Sequence, residues 1–176
     1  MLELIIGPMF SGKSTEIIRR IRLLNYINKK LLVVKPKIDN RYVENKITSH
    51  NYECADCIVV DKLTELKDID NYDTIIIDEG QFFPDLKEYV ILWIDKLNKD
   101  VIISGLDGDY KRQPIGQILE LIPYADKCTK LNSLCNKCKD GTAGIFTFRT
   151  VKSEDTILVG GNESYIPLCR KHYLGI

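Results

Sequence analysis

With 176 residues, 44% of them hydrophobic, the chain is long enough to bury one good core with room for a small appendage, and too short for two large cores. Lysine plus arginine and aspartate plus glutamate both number 25, so the formal charge is zero and no broad basic field of the kind that holds nucleic acid is present. No apolar run approaches the ~20 residues needed to span a bilayer, no N-terminal signal segment is expected, and six cysteines in a cytoplasmic chain should stay reduced.

The chain opens on Leu2-Glu3-Leu4-Ile5-Ile6, an apolar run that predicts a strand. Gly7-Pro8-Met9-Phe10-Ser11-Gly12-Lys13-Ser14 follows directly and has the spacing G-x4-G-K-S of a phosphate-binding loop. Glycines let successive N–H groups turn inward around phosphate oxygens, and the helix beyond points its positive end at them. Lys13 is then placed to reach the β- and γ-phosphates, and Ser14 to offer its hydroxyl to Mg²⁺. A Gly/Ser turn with an exposed lysine is the alternative, disfavoured by the strand before and the helix after. Over residues 16–28, Ile17, Ile18, Ile21 and Leu24 recur at helical spacing, which predicts an amphipathic helix.

Leu31-Leu32-Val33-Val34, Ile58-Val59-Val60, Thr74-Ile75-Ile76-Ile77 and Val101-Ile102-Ile103 read as buried strands, and Leu86, Val90, Trp93 and Leu97 mark a helix between the last two. Apolar strands without polar alternation, separated by helices, predict an α/β fold whose parallel sheet is covered on both faces. The third of these runs ends in Asp78-Glu79-Gly80-Gln81, at the strand end where such sheets keep their ligand crevice. Asp78 suits a Mg²⁺-holding role. Glu79 can face the second substrate, to accept a hydroxyl proton or to position an attacking water. A strand-end acid that merely caps the next turn is the alternative reading of the pair.

From about Tyr124 the texture changes to paired cysteines, short strands and a Gly160-Gly161 turn, which predicts residues 1–123 as the nucleotide-binding domain and 124–176 as a small β lobe. Cys135-x2-Cys138 and Cys169-x2-His172, thirty residues apart, have zinc-site spacing. Three thiolates and one imidazole would fill a tetrahedral shell and leave no open position, so the ion would be structural. Unligated buried thiols are the alternative. Cys54, Cys57 and Cys128 read as free thiols, His50 being too little support for a second site.

The whole constellation resembles the type II thymidine kinases. The residues that carry the likeness are Gly-Pro-Met-Phe-Ser-Gly-Lys-Ser-Thr at 7–15, Asp39-Asn40-Arg41-Tyr42, Asp78-Glu79-Gly80-Gln81-Phe82-Phe83-Pro84, Leu106-Asp107-Gly108 with Arg112 and Pro114, and Gly160-Gly161 ahead of Tyr165. The wording of the first and third motifs leans toward poxvirus-like members, which would put the protein in a host cytoplasm. The resemblance implies a RecA-like P-loop fold with a zinc lobe carrying a lasso loop, and transfer of the γ-phosphoryl of ATP, with Mg²⁺, to the 5′-hydroxyl of thymidine. It implies a homotetramer acting on thymidine and ATP, with no nucleic-acid or membrane partner.

Carried over residue by residue, the resemblance makes Glu79 the proton acceptor and Arg41 a cation near the transferred phosphoryl, beside Lys13. Gly7, Pro8, Met9, Phe10, Ser11, Gly12, Lys13 and Ser14, with Asp78 and Gln81, become the ATP site. The lasso maps to about residues 150–165, where the main chain of Thr156, Ile157, Leu158, Val159 and Gly160 would read the base. Met9, Phe82, Leu106, Tyr110, Ile115, Thr147 and Tyr165 match positions that wall the nucleoside. Taken as residues alone, Met9, Phe82, Leu106 and Ile115 equally suit a core, Arg41 a solvated loop, and Asp107 the shaping of a turn. Tyr110 and Ile115 stand where phenylalanines are usual, and His172 where many members have a fourth cysteine. A RecA-like nucleic-acid-stimulated ATPase and a non-catalytic nucleotide sensor are the competing classes; neutral charge disfavours the first, and the intact Lys13, Ser14, Asp78 and Glu79 the second.

Overall fold

Apolar runs with no polar alternation need cover on both sides, and in the computed structural model, which describes residues 1–39, 45–48, 53–152, 158, 160–161 and 163–176, they receive it. In chain order the elements are β1 (Leu2–Ile6), α1 (Lys13–Tyr26), β2 (Leu31–Pro36), β3 (Lys46–Thr48), β4 (Cys54–Asp56), β5 (Ile58–Val60), β6 (Thr74–Ile77), α2 (Leu86–Ile91), β7 (Asp100–Gly105), β8 (Lys127–Lys130), β9 (Ser133–Leu134), β10 (Ala143–Gly144), β11 (Phe146–Arg149), β12 (Tyr165–Leu168) and α3 (Arg170–Leu174). Six strands form one parallel sheet in the order β5-β2-β6-β7-β1-β8.

Side chains alternate across this sheet. Leu4, Val34, Ile77 and Ile103 face one side, where Phe83, Leu86, Val90, Trp93, Ile118 and Leu121 cover them. Ile5, Val33, Ile76 and Ile102 face the other, under Ile17, Ile18 and Ile21 of α1. All strands run the same way, so the carboxyl ends of β6, β7 and β1 lie side by side. The segments that leave them, after Ile77, Gly105 and Ile6, therefore share one crevice.

Three features depart from expectation. The strand β8 pairs with β1 through Glu3↔Lys127 to Ile6↔Lys130, so the sheet runs past the boundary expected after residue 123 and ends at Lys130. The helix through Trp93 stays α-helical only to Ile91; its last turn widens, with Leu97 N–H donating to the Leu92 carbonyl at 3.2 Å. The added residue turns Leu97 out to 38% exposure, off the face that Leu86, Val90 and Trp93 share. A small antiparallel pair, β3 with β4, tucks Ile47 beneath α1 and was not foreseen.

Beyond β8 the chain builds a lobe from two antiparallel pairs, β9 with β10 and β11 with β12, closed by α3. Its own core is Cys135, Leu168 and Cys169, with Phe148, Ile166 and Tyr173 against them. Among the described residues no helix is long and apolar enough to cross a membrane.

Candidate active site

The phosphate loop leaves β1 by turns that only some residues tolerate. Gly7 has φ +155° and lies so close to the chain beyond β8 that a Cβ there would stand 2.4 Å from the Leu131 carbonyl oxygen. Phe10 and Gly12 take left-handed conformations, φ 64° and 84°, and wrap the loop into the start of α1. Lys13, 7% exposed, folds back so that Nζ donates to the Pro8 carbonyl at 2.8 Å, and Ser11 Oγ donates to the same oxygen at 2.8 Å. An ammonium held over its own loop faces the cradle that an anion would fill.

Asp78 follows β6 and is buried. Its Oδ2 accepts from Ser14 Oγ at 3.2 Å, and Oδ1 accepts from Ser104 Oγ. A hydroxyl and a carboxylate side by side at the phosphate loop form the hard oxygen donor set that suits Mg²⁺, a cation usually held by one or two protein oxygens plus substrate phosphates.

Glu79 is buried and, at φ 53°, left-handed, a conformation uncommon in a non-glycine residue. Its carboxylate is braced: Gln81 Nε2 donates to Oε2 at 2.6 Å, while Gln81 Oε1 accepts from Leu106 N–H at 3.0 Å. Gln81, expected among the ATP-binding residues, is thus committed to Glu79 and the segment after β7. Two glycines make room for it. A Cβ on Gly105 would meet Gln81 Oε1 at 2.5 Å, and one on Gly116, φ +61°, would meet the Gln81 carbonyl oxygen at 2.0 Å.

Between the phosphate loop and the lobe opens an apolar cleft of about 580 Å³ including its mouth, with Glu79 in its wall. Met9, Phe82, Leu106, Tyr110, Ile115, Thr147, Leu158, Gly160 and Tyr165 line it, which brings together every described residue expected to wall a nucleoside. Ile38, Asp39, Gly108 and Asp109 also line it. Arg41, Thr156, Ile157 and Val159 lie outside the described residues, as does His50. The lobe meets the phosphate loop where Met9 N–H donates to Thr147 Oγ1 at 3.0 Å. The Tyr165 hydroxyl donates to the Leu158 carbonyl at 2.8 Å, and Arg149 Nη2 donates to that hydroxyl at 2.9 Å. Arg149 escaped sequence reasoning, because a lone basic residue in an alternating strand reads as solvent-facing. Asp107 pairs with Lys130 at 2.7 Å, which ties its turn to β8.

Cys135, Cys138, Cys169 and His172 converge with all donor atoms within 4.8 Å of one another. His172 Nδ1 lies 3.5, 3.3 and 3.5 Å from the three sulfurs, and Cys138 Sγ 3.8 Å from Cys169 Sγ. Zinc bonds of about 2.3 Å to sulfur and 2.0 Å to nitrogen would put tetrahedral S···N pairs about 3.5 Å apart and S···S pairs about 3.8 Å apart, so the cluster fits this ion. Although burial opposes it, main-chain N–H groups and the His172 ring hold the Cys135 thiol below its usual range, while burial and the neighbouring Cys135 and Cys169 thiols raise that of Cys138. At Cys57 burial prevails, pushing its thiol up to about 11 against the pull of Lys35. Cys54 and Cys128 are exposed and, with Cys57, join no metal-competent cluster among the described residues.

A sequence-family profile described as thymidine kinase matches residues 1–173. The thymidine kinase of Mycoplasma mobile is 43% identical over 179 residues, covering 99% of this chain and 87% of that protein. The thymidine kinase of vaccinia virus, strain Ankara, is 39% identical over 175 residues, 99% of this chain and 97% of the viral one. That of Oryza sativa is 37% identical over 180 residues, with 98% of this chain covered and 66% of the rice protein spanned.

Proposed function

The chain belongs to the thymidine kinase family, and on that premise we propose that its cleft takes thymidine and its phosphate loop ATP, so that the γ-phosphoryl passes to the nucleoside 5′-hydroxyl. The observation that carries this reading is the placement of Glu79, a braced carboxylate in the wall of an apolar cleft, one residue from Asp78, which itself bonds Ser14 of the phosphate loop. A hydroxyl seated in the cleft meets Glu79 on one side and the phosphoryl donor on the other. The new bond joins the 5′-oxygen to phosphorus, the bond to the ADP oxygen breaks, and the hydroxyl proton goes to Glu79.

Lys13 holds the donor phosphates, and the loop N–H groups fix their direction. Ser14 and Asp78 would hold Mg²⁺, which supplies charge neutralisation at the phosphates. Gln81 keeps the Glu79 carboxylate aimed. Arg41 completes the reading as a cation for the equatorial oxygens. Zinc on Cys135, Cys138, Cys169 and His172 would anchor the lobe, and the homotetramer implied by the family likeness is part of the same proposal, read by sedimentation velocity.

The test is ADP release from ATP and Mg²⁺ with a panel of nucleosides and, in parallel, single-stranded DNA. Thymidine-dependent release that yields dTMP is expected. Release driven by the DNA strand and not by any nucleoside would replace the kinase reading with that of an ATPase.

A further inference from the structure

Arg149 stands behind the cleft without lining it. On β11 its side chain is 7% exposed, with the guanidinium carbon 3.7 Å from the centre of the Tyr110 ring and 5.4 Å from that of Tyr165. From there Nη2 reaches the Tyr165 hydroxyl, whose single proton is given to the Leu158 carbonyl. A phenol has one proton to donate, so Tyr165 turns its ring, and not its O–H, toward whatever the cleft holds. A guanidinium is planar and its donors are fixed in that plane. Stacking on Tyr110 sets the plane, and the plane aims Nη2 at Tyr165. Two cleft walls far apart in sequence, one carrying Tyr110 and the other Tyr165 with Leu158, are therefore bridged by one buried side chain, beside the hydrogen bond from the Tyr173 hydroxyl to the Tyr110 carbonyl.

We propose that Arg149 is a positioning residue for the nucleoside, fixing the gap between Tyr110 and Tyr165 through the chain Tyr110, Arg149, Tyr165, Leu158 while touching no substrate itself. The proposal rests on the assignment of this cleft to the nucleoside. It requires the hydroxyl of Tyr165 to matter as much as the guanidinium, because the two are links in series.

The experiment compares wild type, Arg149→Met, Arg149→Lys, Tyr165→Phe and the double variant Arg149→Met/Tyr165→Phe, with thymidine and ATP varied separately and thermal unfolding followed for each protein. Arg149→Met and Tyr165→Phe should each raise the thymidine KM roughly 10- to 100-fold, the range for deleting a charge-assisted hydrogen bond. The ATP KM should stay within about twofold and kcat at saturating thymidine should be largely retained, the pattern of lost substrate binding alone. The double variant should be no worse than the worse single one, and Arg149→Lys should fail to restore binding because an ammonium has no plane to stack. Multiplying effects in the double variant, a wild-type thymidine KM in Tyr165→Phe, or full rescue by lysine would each overturn the proposal. Should Arg149→Met lose its unfolding transition, Tyr165→Phe decides alone, since it deletes one oxygen and keeps the ring. Failure of the wild type to phosphorylate thymidine would strike the functional reading, whereas an active wild type with unmoved variants strikes only the role of Arg149.

Discussion

Glu79 combines three properties that rarely meet in one side chain: burial, a left-handed backbone and a hydrogen bond from a neighbour that is itself locked in place. Replacing it with glutamine keeps the shape but removes the proton acceptor, so Glu79→Gln should lower kcat by roughly 10²- to 10⁴-fold with the ATP KM little changed. Single-turnover measurement of dTMP formation checks this, and near-normal turnover would take Glu79 out of the mechanism. The identity and neighbourhood of this residue are legible in the sequence, because an apolar strand followed by paired acids has few other meanings beside a phosphate loop. Its backbone conformation is not, since nothing in the letters around Glu79 demands φ 53°. The bracing by Gln81 and Arg149 is invisible because each is itself held by a segment distant in the chain, Gln81 by the Leu106 N–H and Arg149 by the Tyr110 ring.

At the scale of elements, the central strands are readable because burial on both faces leaves mostly apolar residues, with Glu3, Lys35, Thr74 and Ser104 as the buried exceptions. The strand β8 hides at the sheet's edge as Lys-Cys-Thr-Lys, three of whose four residues are exposed, and an edge strand needs no apolar signal. The pair β3 and β4 hides because three-residue strands carry too little period to detect. The cysteine lobe was legible in its ligands, whose spacing is its framework, and not in how its helix reaches the cleft. Tyr173, next to His172 on α3, donates from its hydroxyl to the Tyr110 carbonyl at 2.7 Å and packs near Phe146, Phe148 and Arg112. If ligand binding to the four-residue cluster contributes to the folding of this lobe, as it does in small metal sites, removal of the metal by a strong chelator should lower the unfolding temperature and raise the thymidine KM more than the ATP KM. Calorimetry with elemental analysis reads the outcome; active protein that holds no zinc and unfolds unchanged would deny the lobe its ion.

For the molecule as a whole, the described residues join the lobe to the body where Met9 N–H donates to Thr147, where Arg149 and Tyr173 reach Tyr110, and where Arg112 lies over Phe146 and Tyr173. The first links the phosphate loop to the lobe strand β11, so on the proposed reading the thymidine and nucleotide sites share a hydrogen bond. Thr147→Val keeps the side-chain shape and removes that acceptor. It should weaken thymidine about 2- to 10-fold, in keeping with one neutral hydrogen bond, and should reduce the extent to which a bound nucleotide tightens thymidine. Titration calorimetry of thymidine with and without ADP measures both, and an unchanged coupling would show the two sites to communicate elsewhere.

The contact of Gly116 with the Gln81 carbonyl also bears on how this cleft could be altered. Its neighbour Ile115 lines the pocket and can change size, but position 116 has no space for any side chain without moving the main chain that carries Glu79 and its brace. On the proposed reading Ile115 is a replaceable wall of the nucleoside cleft, whereas Gly116 beside it leaves the Gln81 main chain its only room. A change of size at 115 and a side chain at 116 should then part in their effects, the first altering which nucleoside is taken and the second lowering turnover with every nucleoside.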